Sequence, residues 1–137
     1  MEKTAKDIEK DVFRIVRDSE LKDIIAGTFY RAGMRPKNAT TEDVVVKFLT
    51  GVDEAQEQSG VVLVNIYVPD IDMSRDGELV ENITRTDELE GVLNRLVASL
   101  ENDEYLFAKD GTPHSFPVEG IAQHFINLRL HFRRKTF

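Results

Sequence analysis

The hydrophobic pattern changes period several times along this chain, and each change marks an element. Residues 4–16 carry apolar side chains at Ile8, Val12, Ile15 and Val16, an i, i+4, i+7, i+8 stripe that predicts a helix buried on one side. Thr4 with Asp7 three residues on suits a capping box. Lys6, Glu9, Lys10 and Arg17 fall on the opposite face and read as solvated. Asp18-Ser19 offers a fresh N-cap, Leu21, Ile24 and Ile25 continue the pattern, and Gly27 is placed as a helix stop. Residues 1–26 are therefore expected to be a helical segment bent at Asp18-Ser19.

Residues 61–69, V-V-L-V-N-I-Y-V-P, form the longest apolar run. Val62, Val64, Ile66 and Val68 share one face of a strand. Val61, Leu63 and Tyr67 share the other, interrupted only by Asn65. A strand apolar on both faces has to be covered on both, so 61–68 is predicted to be a central strand with helices or a partner subunit on each side. Shorter strands are expected at 28–31 and 43–49, separated by a polar loop. The acidic stretch 50–60 then reads as a connection, bounded by Gly51 and Gly60 and carrying Asp53, Glu54 and Glu57. It is long for a hairpin, and long loops tend to be functional or mobile.

Residues 70–85 are polar and aperiodic. Asp70, Asp72, Asp76, Gly77 and Glu78 resemble a calcium loop in composition, but their spacing does not fit the EF-hand pattern. Leu89, Val92, Leu93, Leu96, Val97 and Leu100 predict a helix over 87–100, capped by Thr84 or Thr86, with Gly91 inside it as a place for close approach to the sheet. A strand is expected at 104–109, a loop at 112–120 and a long alternating strand at 121–133. Its thirteen residues would span about 40 Å if straight, against a domain diameter near 37 Å. It must bend, bulge, or project to where another subunit can pair with it. The sum is one α+β domain over 1–137, with a mainly antiparallel, mixed sheet of four to five strands. An N-terminal helix and a central amphipathic helix pack on that sheet.

Composition narrows the function more than it defines it. With 137 residues and 41% hydrophobic side chains, the chain suits a single folded domain. It has no cysteine, which removes disulfides and thiolate metal sites. No apolar run approaches the roughly 20 residues needed to span a bilayer, and the charged first residues lack the apolar centre of a signal peptide. A soluble protein of the cell interior is the expectation.

The formal net charge of −7 disfavours general nucleic-acid binding. That charge divides unevenly, into +4 over residues 129–137 and −11 over the rest. A basic end and an acidic body let copies meet head to tail, although a solvated tail explains the same composition. Asp53, Glu54 and Glu57 on one side and Arg129, Arg133 and Arg134 on the other are the candidate subunit interface.

No pattern for chemistry accompanies these features. The five serines lack a nucleophile motif, and no glycine-rich phosphate loop follows a strand. His124 and His131 are seven residues apart on one strand and point to opposite faces, while His114 lies in a loop. No catalytic residue, cofactor site or metal site is assigned, and the chain is read as non-enzymatic.

The order of elements carries a resemblance. A helix ending D-S-E-L-K-D-I-I-A-G is followed by F-Y-R, by R-P, and by the strand at 43–49. Next come the long connection, the strand V-V-L-V-N-I-Y-V, a polar stretch with Arg85, the helix at 87–100 and a final pair of strands. From about residue 12 to residue 132 this resembles the tail terminator (tail completion) and neck proteins of long-tailed bacteriophages and prophages. The resemblance implies a virion structural protein that forms a ring at the head-proximal end of the tail tube, commonly six-fold. Its partners would be its own copies and other tail or connector proteins, met in the host cytoplasm during assembly and in the virion afterwards. The loops 50–60 and 70–82 and the C-terminal strand are the surfaces it brings forward. The other reading of the same residues is a small intracellular adaptor.

Overall fold

The strand that begins at Glu57 is the centre of the molecule. In the computed structural model, which describes residues 1–136, β3 (Glu57–Pro69) pairs antiparallel with β2 (Asp43–Glu54) on one side. On its other side it pairs with β6 (Gln123–Lys135) over its whole length. The sheet is completed by β1 (Phe29–Arg31), parallel to the start of β2, and by β4 (Tyr105–Lys109) and β5 (His114–Pro117), both antiparallel to β6. The order is β1-β2-β3-β6-β4, with β5 also on β6. Among the described residues, six strands and three helices make one α+β domain, as the hydrophobic pattern predicts, with one more strand than expected. The addition is β5, hidden in sequence by Pro113 just before it and Pro117 at its end, which suit an edge strand.

All the helices lie on one face. Val62, Val64 and Ile66 of β3 pair with Leu130, Leu128 and Ile126 of β6, flanked by Val68 and Phe132 on the same face, all at most 1% exposed. Over them pack Ile8, Val12 and Val16 of α1 (Ala5–Arg17), Leu21 of the single-turn α2 (Leu21–Ile24), and Leu89, Leu93 and Leu96 of α3 (Ile83–Leu96). A 3-10 turn at Val97–Ser99 extends α3 and buries Val97 and Leu100. The Thr4–Asp7 capping box forms, and the chain bends after Arg17 where Asp18-Ser19 predicts it.

Several expectations are corrected. Residues 50–60 are not a loop: β2 and β3 run on to a two-residue turn at Ala55-Gln56, with Ala55 at φ 47°. Gly51 and Gly60 face each other across the ladder, beyond a bulge between Phe48 and Thr50. A Cβ on Gly60 would sit 2.1 Å from the Thr50 carbonyl, so the glycine permits strand approach rather than ending a strand. Gly27 likewise lies past α2, where a Cβ would meet the Glu42 carbonyl at 2.0 Å. Gly91 faces open space rather than the sheet. Asn82, not Thr84 or Thr86, caps α3 by accepting from the Arg85 N–H.

Glu9 is buried rather than solvated. It accepts from the Phe48 N–H at 3.2 Å and from Arg31 Nε at 3.1 Å, covering the edge of β2 where β1 stops. The long terminal strand offers no free edge either. It is interior, with β3 on one side and β4 and β5 on the other. β4 and β5 are collinear, broken by Asp110-Gly111-Thr112-Pro113, which leaves a discontinuous border that suits pairing with a foreign strand poorly.

A candidate interaction face

The face of β3 opposite the helices has no second layer. Cross-strand pairs share a face, so the register sets its rows. Lys47, Leu63 and Arg129 form one row, Val45, Asn65 and Asn127 the next, and Thr50, Val61 and His131 a third. Val52, Ser59 and Arg133 follow, with Leu106 of β4 beside Arg133. Asn127 donates to Asn65 Oδ1 at 2.7 Å, which satisfies the polar break in the apolar row. Leu63 and Tyr67 stay half-buried, while Val52 and Leu106 are 52% and 48% exposed. Val61 and Val45 are buried by neighbours within the sheet, at 6% and 9% exposure, but helices cover the strand on one side only.

One corner of this face is covered by the chain itself. The loop after β1 folds back so that Arg35 stacks on the Tyr67 ring, 4.2 Å from its centroid. Arg35 Nε donates to the buried Asp43 carboxylate at 2.9 Å, and its terminal nitrogen reaches Gln123 and the Thr41 carbonyl. Asp43 also accepts from the Thr28 N–H and the Thr41 hydroxyl. The neighbouring Glu42 takes Arg85 in a two-point contact at 2.7 and 2.8 Å, tying α3 to the start of β2. Two adjacent carboxylates, each held by an arginine from a different element, anchor this end of the hairpin.

The six charged candidates fall into two groups. Arg129 and Arg133 lie on the open face, with Glu57 at its lower rim opposite Lys135 and Glu54 opposite Glu57. Arg133 pairs with Glu57 at 3.0 Å and Arg129 with Asp110 at 3.0 Å, all at least a third exposed, so these pairs exchange cheaply. The arginine beside Glu57 holds that carboxyl below its usual range.

Asp53 and Arg134 instead lie on the helix side, engaged within the chain. Gln58 donates to Asp53 and accepts from Arg134, which also reaches Glu104 and the Met1 carbonyl. Lys3 adds pairs to Asp11 and Glu104, and the buried Tyr105 hydroxyl donates to Asp11 at 2.7 Å. Burial raises the Glu104 carboxyl, but the hydrogen bonds from Lys3 and Arg134 outweigh it and hold the group below its ordinary value. Tyr105 is raised by burial and by its bond to Asp11. This network fastens the N-terminal residues to the end of the sheet.

A histidine and carboxylates do converge at the other end of the sheet, a grouping that sequence spacing did not reveal. His124 Nδ1 lies 2.7 Å from Asp70, and its Nε2 3.9 Å from Glu81. Glu81 accepts from both the Thr86 and Ser115 hydroxyls, at 2.8 and 2.9 Å. The Ser115 proton is therefore directed to Glu81 and not to the imidazole. The cluster pins both roots of the 70–82 segment, which a two-way backbone bridge between Ile71 and Val80 closes.

Within the segment, Asp72 accepts the Asp76 and Gly77 N–H groups and Asp76 accepts that of Glu78. Those acids order a turn. Among the described residues no three acidic or histidine side chains come together as metal donors, and no helix is long and apolar enough to cross a membrane. No family model and no curated protein matches this chain.

Proposed function

We propose that this chain is a non-enzymatic structural subunit of a phage or prophage virion, a tail terminator or head-tail joining protein that assembles into a ring. The observation that carries this reading is the open sheet face. A central strand apolar on both sides has helices over one side; over the other, among the described residues, there is no second layer beyond the Arg35 corner, although Val61 and Val45 are buried by their neighbours within the sheet. What remains is a flat surface mixing aliphatic side chains with Lys47, Arg129, His131 and Arg133, suited to a broad protein contact rather than to a small molecule. The order of elements, similar to that of tail terminator proteins, supports the same reading.

The test is mass in solution across protein and salt concentrations, followed by electron microscopy with tail tubes. Rings in solution, or caps on tube ends, are the expected result. A monomer at high concentration and low salt that leaves added tubes uncapped counts against it. A flat face also suits an adaptor, and a pull-down from the native host separates the two: virion proteins support the subunit reading, host proteins the adaptor.

A further inference from the structure

We propose that the open sheet face of one copy receives the 70–83 segment of the next, and that this head-to-tail contact builds the assembly; the inference rests on the subunit reading above. The segment is the chemical complement of the face. Met73, Leu79, Val80 and Ile83 are four of the eleven exposed large apolar residues among the described residues, gathered within eleven positions and 45–65% exposed. Asp72, Asp76 and Glu78 lie among them, against the single Arg75. The face offers aliphatic side chains with the opposite sign, since Leu63 sits between Lys47 and Arg129 in one cross-strand row.

The segment cannot serve its own face. Its roots are pinned at His124, Ser115 and Thr86, on the side of the sheet that holds α3, so it lies away from the open rows. It is also held in shape by the Ile71–Val80 bridge and the Asp72 and Asp76 turns, so little ordering is left for docking. Four strands at about 4.8 Å spacing and eight residue steps along β3 give a footprint of about 19 by 27 Å, near the lower bound for a specific interface. Face and segment are different patches, so the contact is heterologous and repeats from copy to copy, closing when the rotation allows.

Two double variants test it, one per patch: Lys47→Glu with Arg129→Glu on the face, and Leu79→Arg with Ile83→Arg on the segment. All four positions are exposed, and unchanged far-ultraviolet dichroism and melting temperature establish that each variant folds. Sedimentation is expected to show assembled wild type and two monomeric variants. An equimolar mixture of the two should form a dimer and nothing larger, because one intact face meets one intact segment. Variants that assemble like the wild type overturn the docking site while leaving the subunit reading in place. A mixture that stays monomeric overturns the head-to-tail arrangement. A wild type that never assembles and does not cap tubes overturns both. Binding of single-stranded oligonucleotide by a monomeric wild type, lost in the face variant, would reassign the face to nucleic acid.

Discussion

The two sides of β3 are built from similar residues and have different fates. On one side Val62, Val64, Ile66 and Val68 lie under helices and are at most 1% exposed. On the other, Leu63 and Tyr67, equally apolar, remain half-buried with a row of cations beside them. Hydrophobicity along the strand does not distinguish the two. What distinguishes them is first the neighbouring strands, which set Val44, Val46, Ile126, Leu128 and Leu130 beside the covered side and Lys47, Asn127 and Arg129 beside the open one. Polar ties then hold α1 and α3 in place, Glu9 to Arg31 and Phe48, Arg85 to Glu42, Tyr105 to Asp11. Apolar rows running across β2, β3 and β6 set which side is covered, and a few charged contacts fix where the helices sit on it.

This contrast can be broken at several strengths. The largest effect is expected at the covered corner. Asp43→Ala leaves Arg35 without its buried partner and should cost about 3–5 kcal/mol in urea unfolding. Next, Ile66→Ala beneath the helices should cost about 2–5 kcal/mol through its cavity, whereas Leu63→Ala on the open side should stay within about 1 kcal/mol. Equal costs at the two positions would mean that the open face is roofed in solution. Tyr105→Phe removes a hydrogen bond to a charged carboxylate and should cost about 1.5–3 kcal/mol. Gly91→Ala, on the solvent side of α3, should raise stability by up to about 1 kcal/mol, because a Cβ there meets nothing.

The smallest effect is a pH dependence. Glu104 has a depressed folded value, so its stabilisation is present above the ordinary 4.5 and is lost as pH falls through the lower folded value. Lys3 is raised by its bonds to Asp11 and Glu104, which outweigh the opposing effect of burial. Its contribution is present below 10.5 and is lost as pH rises through the higher folded value. Thermal melts should soften at both ends, and Glu104→Gln should flatten the acid limb.

Periodic stripes are legible in the sequence: the helix at 4–16, the leucine row at 89–100, the two faces of 61–68 and the alternation after 121 all appear as their spacing predicts. Each of these depends on residues a few positions apart, which the repeat of a helix or strand places on one side. Contacts between distant residues were not legible.

The distal hairpin reads as a loop because Gly51 and Gly60 look like punctuation until they are seen opposite each other. Glu9 reads as solvated until the unpaired Phe48 N–H is seen above it. The acids near Glu57 and the bases near Arg133 read as partners for separate copies, yet they lie on adjacent strands of the same sheet. Local pattern thus determined which elements form and which of their sides are apolar. Only the tertiary structure decided that one side of β3 would stay open, because that choice belongs to ties between residues far apart in the chain.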